Sequence, residues 1–207
     1  MKTTVVHPGR TTDFALRFAN ECAQLVLEAL RNHQGADFKV IQGPRMRRRN
    51  IQRALQEQLG EEASFMAFGH GNPDQLAGPT GSCALHKTDG HLLQRKAGYF
   101  LACYSYTCFG IDAGQNGMSC FVGIEGLFHV PLYFRQELAR CMVSGFLAYV
   151  LGDCTKDRIE EITARAFDET IRTLPSISEA ESKSILDSLI AFEVNLQRLR
   201  YFVSNGS

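Results

Sequence analysis

His70 and Cys103 supply an imidazole and a thiol, and each closes a short apolar run: Ser64-Phe65-Met66-Ala67-Phe68-Gly69-His70-Gly71, then Tyr99-Phe100-Leu101-Ala102-Cys103. A histidine beside a cysteine is the minimal apparatus for thiol nucleophilic catalysis, with the imidazole moving the proton that the thiol loses and the leaving group gains. Gly71 adds to this, because a glycine after the histidine permits close backbone approach and a freely placed N–H.

For the pair to work, two elements must deliver it to one place. Continuous apolar runs read as strands of a parallel sheet buried on both faces, and ligands of open α/β sheets bind just beyond the carboxyl ends of such strands. If the two strands are neighbours, ~4.8 Å apart, the side chains that follow them face one cleft.

Zinc is the competing use of cysteine. Cys103 and Cys108 are flanked by Cys83 and Cys120, and His70, His86 and His91 are at hand. Structural zinc sites pair their ligands in short knuckles, and only Cys103 with Cys108 comes near that spacing, so small buried thiols are the expectation and no metal or cofactor is assigned.

The chain has 207 residues, is 44% hydrophobic and carries zero formal net charge. That suits one unit with a substantial core, expected as an α/β core over residues 1–150 with a helical extension over 151–207 packed on it. Zero net charge gives no global electrostatic case for nucleic acid or a membrane surface. The apolar run Val143 to Leu151 is too short and too interrupted for a ~20-residue span. Met1-Lys2 leads directly into Thr3-Thr4-Val5-Val6 with no signal-like stretch, and seven cysteines without framework spacing suggest reduced thiols, so a cytoplasmic setting is expected.

Thr3 to His7 reads as a first strand. A helix follows over Asp13 to Arg31, with Phe14, Phe18, Cys22, Leu25, Val26, Ala29 and Leu30 on one face and Thr12 placed to cap it. Phe38 to Ile41 is a second strand. Pro44 opens a helix carrying Ile51, Leu55 and Leu59, which returns the chain to the His70 strand. Between Asn72 and Gly98 no helix is legible; Cys83 to His86 and His91 to Leu93 flank Lys87-Thr88-Asp89-Gly90, whose Asp-Gly pair favours a hairpin turn. Tyr104 to Met118 reads as a loop, Ser119 to Glu125 as a strand, and Pro131 to Val150 and Lys156 to Thr173 as helices. Ser178-Glu179-Ala180-Glu181 is a capping box opening a last helix whose Ile185, Leu189, Phe192, Leu196, Leu199 and Val203 form a heptad seam. Strand-helix alternation predicts a mainly parallel sheet between helical layers.

The apolar block before His70-Gly71 and the second before Ala102-Cys103 resemble the caspase-like cysteine peptidases, the group of caspases, metacaspases, legumain, gingipain, separase and the bacterial CHAT-type proteins. The nearest likeness is to the CHAT-type branch, since Ala102-Cys103-Tyr104-Ser105 is followed by Ser119-Cys120-Phe121-Val122-Gly123-Ile124-Glu125, then Val130-Pro131 and a helix. The resemblance implies a three-layer caspase-like α/β fold with a mainly parallel central sheet, an inserted β-hairpin and C-terminal helices. It implies a regulated intracellular cysteine endopeptidase in which Cys103 attacks the scissile carbonyl, a thioester acyl-enzyme forms, and His70 protonates the leaving amine and then activates water. It further implies an oxyanion hole from the backbone N–H groups of Gly71 and Cys103, and a protein or peptide substrate.

Specificity departs from the family patterns. Leu101 stands where metacaspases carry an acid, and Tyr104 where caspases carry arginine, which leaves Asp112 as the nearest acid able to receive a basic side chain. Other readings of the same residues are a catalytically silent caspase-like adaptor module and a thiol hydrolase acting on a non-peptide acyl group. A regulatory protein partner is expected through the basic run Arg45 to Arg53, where positive charge at a helix start opposes the macrodipole, or through the last helix.

Overall fold

Alternation of apolar strand runs with amphipathic helices produces a six-stranded sheet between two helical layers, in the spatial order Asp37–Gln42, Lys2–His7, Ala63–Phe68, Lys96–Leu101, Cys120–Ile124 and Leu199–Val203. The structure, a computed structural model, describes residues 1–59, 61–174 and 182–204. The sheet is built from β1 (Lys2–His7), β2 (Asp37–Gln42), β3 (Ala63–Phe68), β7 (Lys96–Leu101), β8 (Cys120–Ile124) and β9 (Leu199–Val203). All neighbours are parallel except β8 and β9. Three short strands, β4 (His70–Asn72), β5 (Gln75–Ala77) and β6 (Cys83–His86), form a separate antiparallel sheet inserted between β3 and β7.

Because successive strand residues point to opposite faces, each apolar run fills two cores at once. From β3, Met66 and Phe68 pack on one side with α1 (Phe14–Asn32), α3 (Arg135–Leu151), α4 (Ile159–Thr173) and α5 (Ser182–Arg198). Phe65 and Ala67 pack on the other with α2 (Arg48–Gln56) and the inserted sheet. From β7, Tyr99 goes to the first core and Phe100 to the second, where it meets Phe65, Phe109 and Phe121. The expected three-layer α/β architecture with a mainly parallel sheet, an insertion after the His70 strand and C-terminal helices is the one present. Among the described residues no helix is long and apolar enough to cross a membrane.

Several local expectations are corrected. Asp13 rather than Thr12 caps α1, its Oδ1 accepting the Leu16 N–H at 2.8 Å. Pro44 opens a short 3-10 turn, Gly43–Arg45, and α2 begins only at Arg48; Leu59 lies beyond its end and is exposed. The hairpin comes earlier than Asp89-Gly90 suggests. Asn72 Oδ1 accepts the N–H groups of Asp74 and Gln75 and so shapes the β4–β5 turn. Asp89 is drawn inward instead, capping a 3-10 helix, Lys87–Leu93, through the His86 N–H. The predicted loop after Cys103 contains one π-helical turn, Tyr106–Gly110.

The last helix ends at Arg198, and Leu199–Val203 is strand β9 rather than its continuation, so the final segment completes the sheet instead of forming a purely helical extension. Tyr201 and Phe202 pack on opposite cores, a period of two that aromatic and β-branched residues favour over the helical step of the heptad count. Phe192 is fully buried against Phe167, so this part of the seam packs internally. The capping box Ser178 to Glu181 lies outside the described residues.

Candidate active site

β3 and β7 are adjacent and paired in register, Ala63 with Lys96 through Phe68 with Leu101. His70 and Cys103 thus each stand two residues beyond paired strand ends, at one carboxyl edge of the sheet. The Gly69 N–H still donates to the Leu101 carbonyl at 3.2 Å before the chains diverge. Gly71 then lies against Cys103 so closely that a Cβ there would collide with the Cys103 carbonyl oxygen and meet the Ala102 Cβ at 3.0 Å. Only glycine allows that approach.

After Cys103 the chain turns sharply. Tyr104 has φ of 58°, a left-handed conformation rare for a bulky residue and of the kind that collects at functional sites. Its N–H donates to the Gly126 carbonyl at 2.7 Å. Buried Ser105 locks the turn, with Oγ donating to the Phe100 carbonyl at 2.8 Å and accepting the Ile124 N–H at 2.9 Å. The Phe128 N–H points at the Cys103 sulfur from 3.2 Å.

That Phe128 segment is itself held. Asn195 of α5, fully buried, grips both main-chain groups of His129: its Nδ2 donates to the carbonyl at 2.6 Å and its Oδ1 accepts the N–H at 2.9 Å. Arg198 donates to the Leu127 carbonyl. The far end of the chain therefore fixes the strap that contacts the nucleophile candidate.

The His70 ring is half-exposed and does not hydrogen-bond Cys103. Its Nε2 lies 3.3 Å from Asp13 Oδ2, at the start of α1. With a carboxylate as acceptor, the ring hydrogen sits on Nε2, which leaves Nδ1 as the nitrogen able to take a proton. The Leu16 N–H first, and His70 in addition, hold the Asp13 carboxyl below its ordinary value. Asp13, the Phe128 N–H and Asn195 were missed by sequence reasoning. The one signal for Asp13 was an acid just before an amphipathic helix; its approach to His70 is tertiary.

All seven cysteines are free. Burial pushes the thiols of Cys108 and Cys120 up to about 12, and raises those of Cys22, Cys83, Cys141 and Cys154. Among the described residues, no group of three His, Cys, Asp or Glu side chains is arranged to hold a metal ion. Asp112 is exposed and is not brought to the pair. Its segment runs back to the amino end of β7, where the Arg95 N–H donates to Gly117 and the Met118 N–H to Ala113, because the chain must return there to start β8 parallel to β7.

No protein-family model matches the chain, and no curated protein sequence does. Its structure is similar to the crystal structure of the Arg-specific cysteine proteinase gingipain R, with a TM-score of 0.61 at 11% sequence identity. The match covers 98% of this chain and 46% of that one, so the chain spans less than half the length of that proteinase. The likeness is one of fold: a caspase-like arrangement of a mainly parallel sheet between helices.

Proposed function

We propose that the chain is a caspase-like cysteine endopeptidase with Cys103 as nucleophile and His70 as general acid and base. The observation that carries this reading is the contact of Gly71 with Cys103 at the ends of two paired strands, in a fold shared with a cysteine proteinase. The Cys103 thiolate attacks the scissile carbonyl carbon, the C–N bond breaks as protonated His70 gives its proton to the leaving amine, and a thioester remains. Water then attacks the thioester, His70 taking its proton, and the thiolate leaves.

Asp13 orients the imidazole through its contact with Nε2. In a hairpin closed by a two-residue turn, Asn72 and Gln75 are the hydrogen-bonded pair and Gly71 opposite Leu76 the non-bonded one. The Gly71 N–H therefore points out of the hairpin, available with the Cys103 N–H to receive the developing oxyanion. A cytoplasmic setting accords with seven unpaired thiols. The finer kinship with the CHAT-type branch rests on the order of segments after Cys103 alone.

The reading is tested by incubating a denatured proteome with the wild type, Cys103→Ala and Cys108→Ala, and sequencing new amino termini. New termini from the wild type and Cys108→Ala but not Cys103→Ala are expected. Cleavage by Cys103→Ala overturns the assignment, and no cleavage by any of the three favours the adaptor reading.

A further inference from the structure

A second concavity lies away from Cys103. It is a cleft of about 1240 Å³ at the carboxyl ends of β1 and β2, walled by α1, the Gly43–Arg47 segment and the β5–β6 turn. Four arginines line it: Arg10 after β1, Arg31 on α1, and Arg45 and Arg47 ahead of α2. Among the described residues, no aspartate or glutamate does. All four are exposed, and none enters an ion pair among the described residues. Their neighbour Arg48 shows the contrast, since it is spent on buried Asp89 in a two-pronged ion pair.

The wall holds a buried imidazole as well. His7, fully buried at the end of β1, has Nδ1 2.9 Å from Asn20 Oδ1, and its ring also faces the Gln42 side chain. Burial first, then the charge of Arg31, keep this imidazole below its ordinary value, so it stays neutral among the arginines.

Four cations lining one cleft repel one another, a cost that an anion in the cleft removes. The planar guanidinium fork matches phosphate oxygens in pairs, and the carboxyl edge of a parallel sheet is where such ligands sit. The volume lies somewhat above the roughly 300–1,000 Å³ usual for small-molecule sites, which leaves room for a ligand larger than one phosphate group. From β2 to β7 is three strand spacings, roughly 14 Å, which sets the cleft apart from the nucleophile. We infer that this cleft binds a small phosphorylated ligand with at least two phosphate groups, held by Arg10, Arg31, Arg45 and Arg47. The site does not depend on the peptidase reading.

The test is calorimetric titration of the full chain with inorganic tripolyphosphate at 0.1 M salt, using two charge-matched double variants. Arg10→Gln/Arg47→Gln removes two cleft cations. Arg49→Gln/Arg53→Gln removes two from the same basic run outside the cleft. One saturable site in the wild type is expected, weakened at least 10-fold in the first variant and less than 3-fold in the second, with circular dichroism spectra unchanged throughout. Absence of saturable binding, or equal weakening in both variants, overturns the site. Tighter binding of a hexaglutamate peptide than of tripolyphosphate, sensitive to the same cleft variant, overturns the ligand class in favour of an acidic protein segment.

Discussion

Nε2 of His70 lies 3.3 Å from Oδ2 of Asp13, whose other carboxylate oxygen caps α1 by accepting the Leu16 N–H. One side chain therefore serves helix stability and imidazole placement together, and two substitutions separate these roles. Asparagine caps helices as well as aspartate does, so Asp13→Asn should leave the thermal midpoint nearly unchanged, whereas Asp13→Ala should cost ~1 kcal/mol. Both should lower kcat by about 10-fold, far less than the roughly 10⁴-fold cost where such a carboxylate is buried, because both partners here are nearly half-exposed. Thermal melts beside peptidase kinetics on the two variants check this. Full activity in Asp13→Asn would show that the carboxylate does not assist His70.

Gly71 is the point at which the hairpin meets the turn at Cys103. Gly71→Ala forces a methyl group into the Cys103 carbonyl, which is backbone and cannot rotate away. The two strand ends must separate, and a displacement near 1 Å at reacting groups costs on the order of 10²-fold in rate. The strand cores are untouched, so the expected result is a folded protein with at least that loss in kcat/KM. A variant as active as the wild type would mean that the two segments need not touch.

The basic run does not act as a unit. Arg48 donates from Nε and a terminal nitrogen to Asp89, which also accepts from the His86 N–H and from Gln52. Burial raises the Asp89 carboxyl, but these donors outweigh it and the net shift is downward. A carboxyl held below its unfolded value contributes stability above about pH 3.9 and loses it as pH falls through the folded value. Arg48→Gln should therefore lower the melting temperature by a few degrees at pH 7 and start acid unfolding at higher pH, while Arg47→Gln and Arg49→Gln leave both unchanged. Melts from pH 2 to 7 on the three variants decide it.

The strap over Cys103 depends on α5. Phe192 is fully buried against Phe167, and Phe192→Ala should cost ~3–5 kcal/mol by emptying that space. Asn195→Ala leaves the apolar packing but strands the His129 main-chain groups, so it should lower activity more than its stability loss alone explains, read as kcat at a temperature where the variant is fully folded. Unchanged kcat in Asn195→Ala would make the strap a purely structural feature.

The strands, their order along the chain and the edge carrying His70 and Cys103 were legible because burial on both faces writes a continuous apolar run. Local competitions were not. Lys87 to Gly90 has the composition of a hairpin turn, yet Asp89 is worth more as an acceptor for Arg48, a partner 41 residues away that no short window includes. Leu199 and Val203 fit a helical seam as well as a strand, and β8's open edge decided between them. Asp13, Phe128 and Asn195 reach the site only through tertiary contacts, and the clefts that arginines line cannot be read from spacing at all.

If His70 and Cys103 act on each other as proposed, alkylation of the folded protein reads it out without a substrate. Burial raises the other six thiols, and Cys108, five residues away and pushed up to about 12, is the internal control. With limiting iodoacetamide at pH 6 and peptide mapping over time, Cys103 should be labelled first, and His70→Ala should slow its labelling several-fold without changing that of Cys108, because the proposed base that takes the thiol proton is then missing. Labelling of another cysteine ahead of Cys103, or a Cys103 rate indifferent to His70→Ala, would contradict the claim.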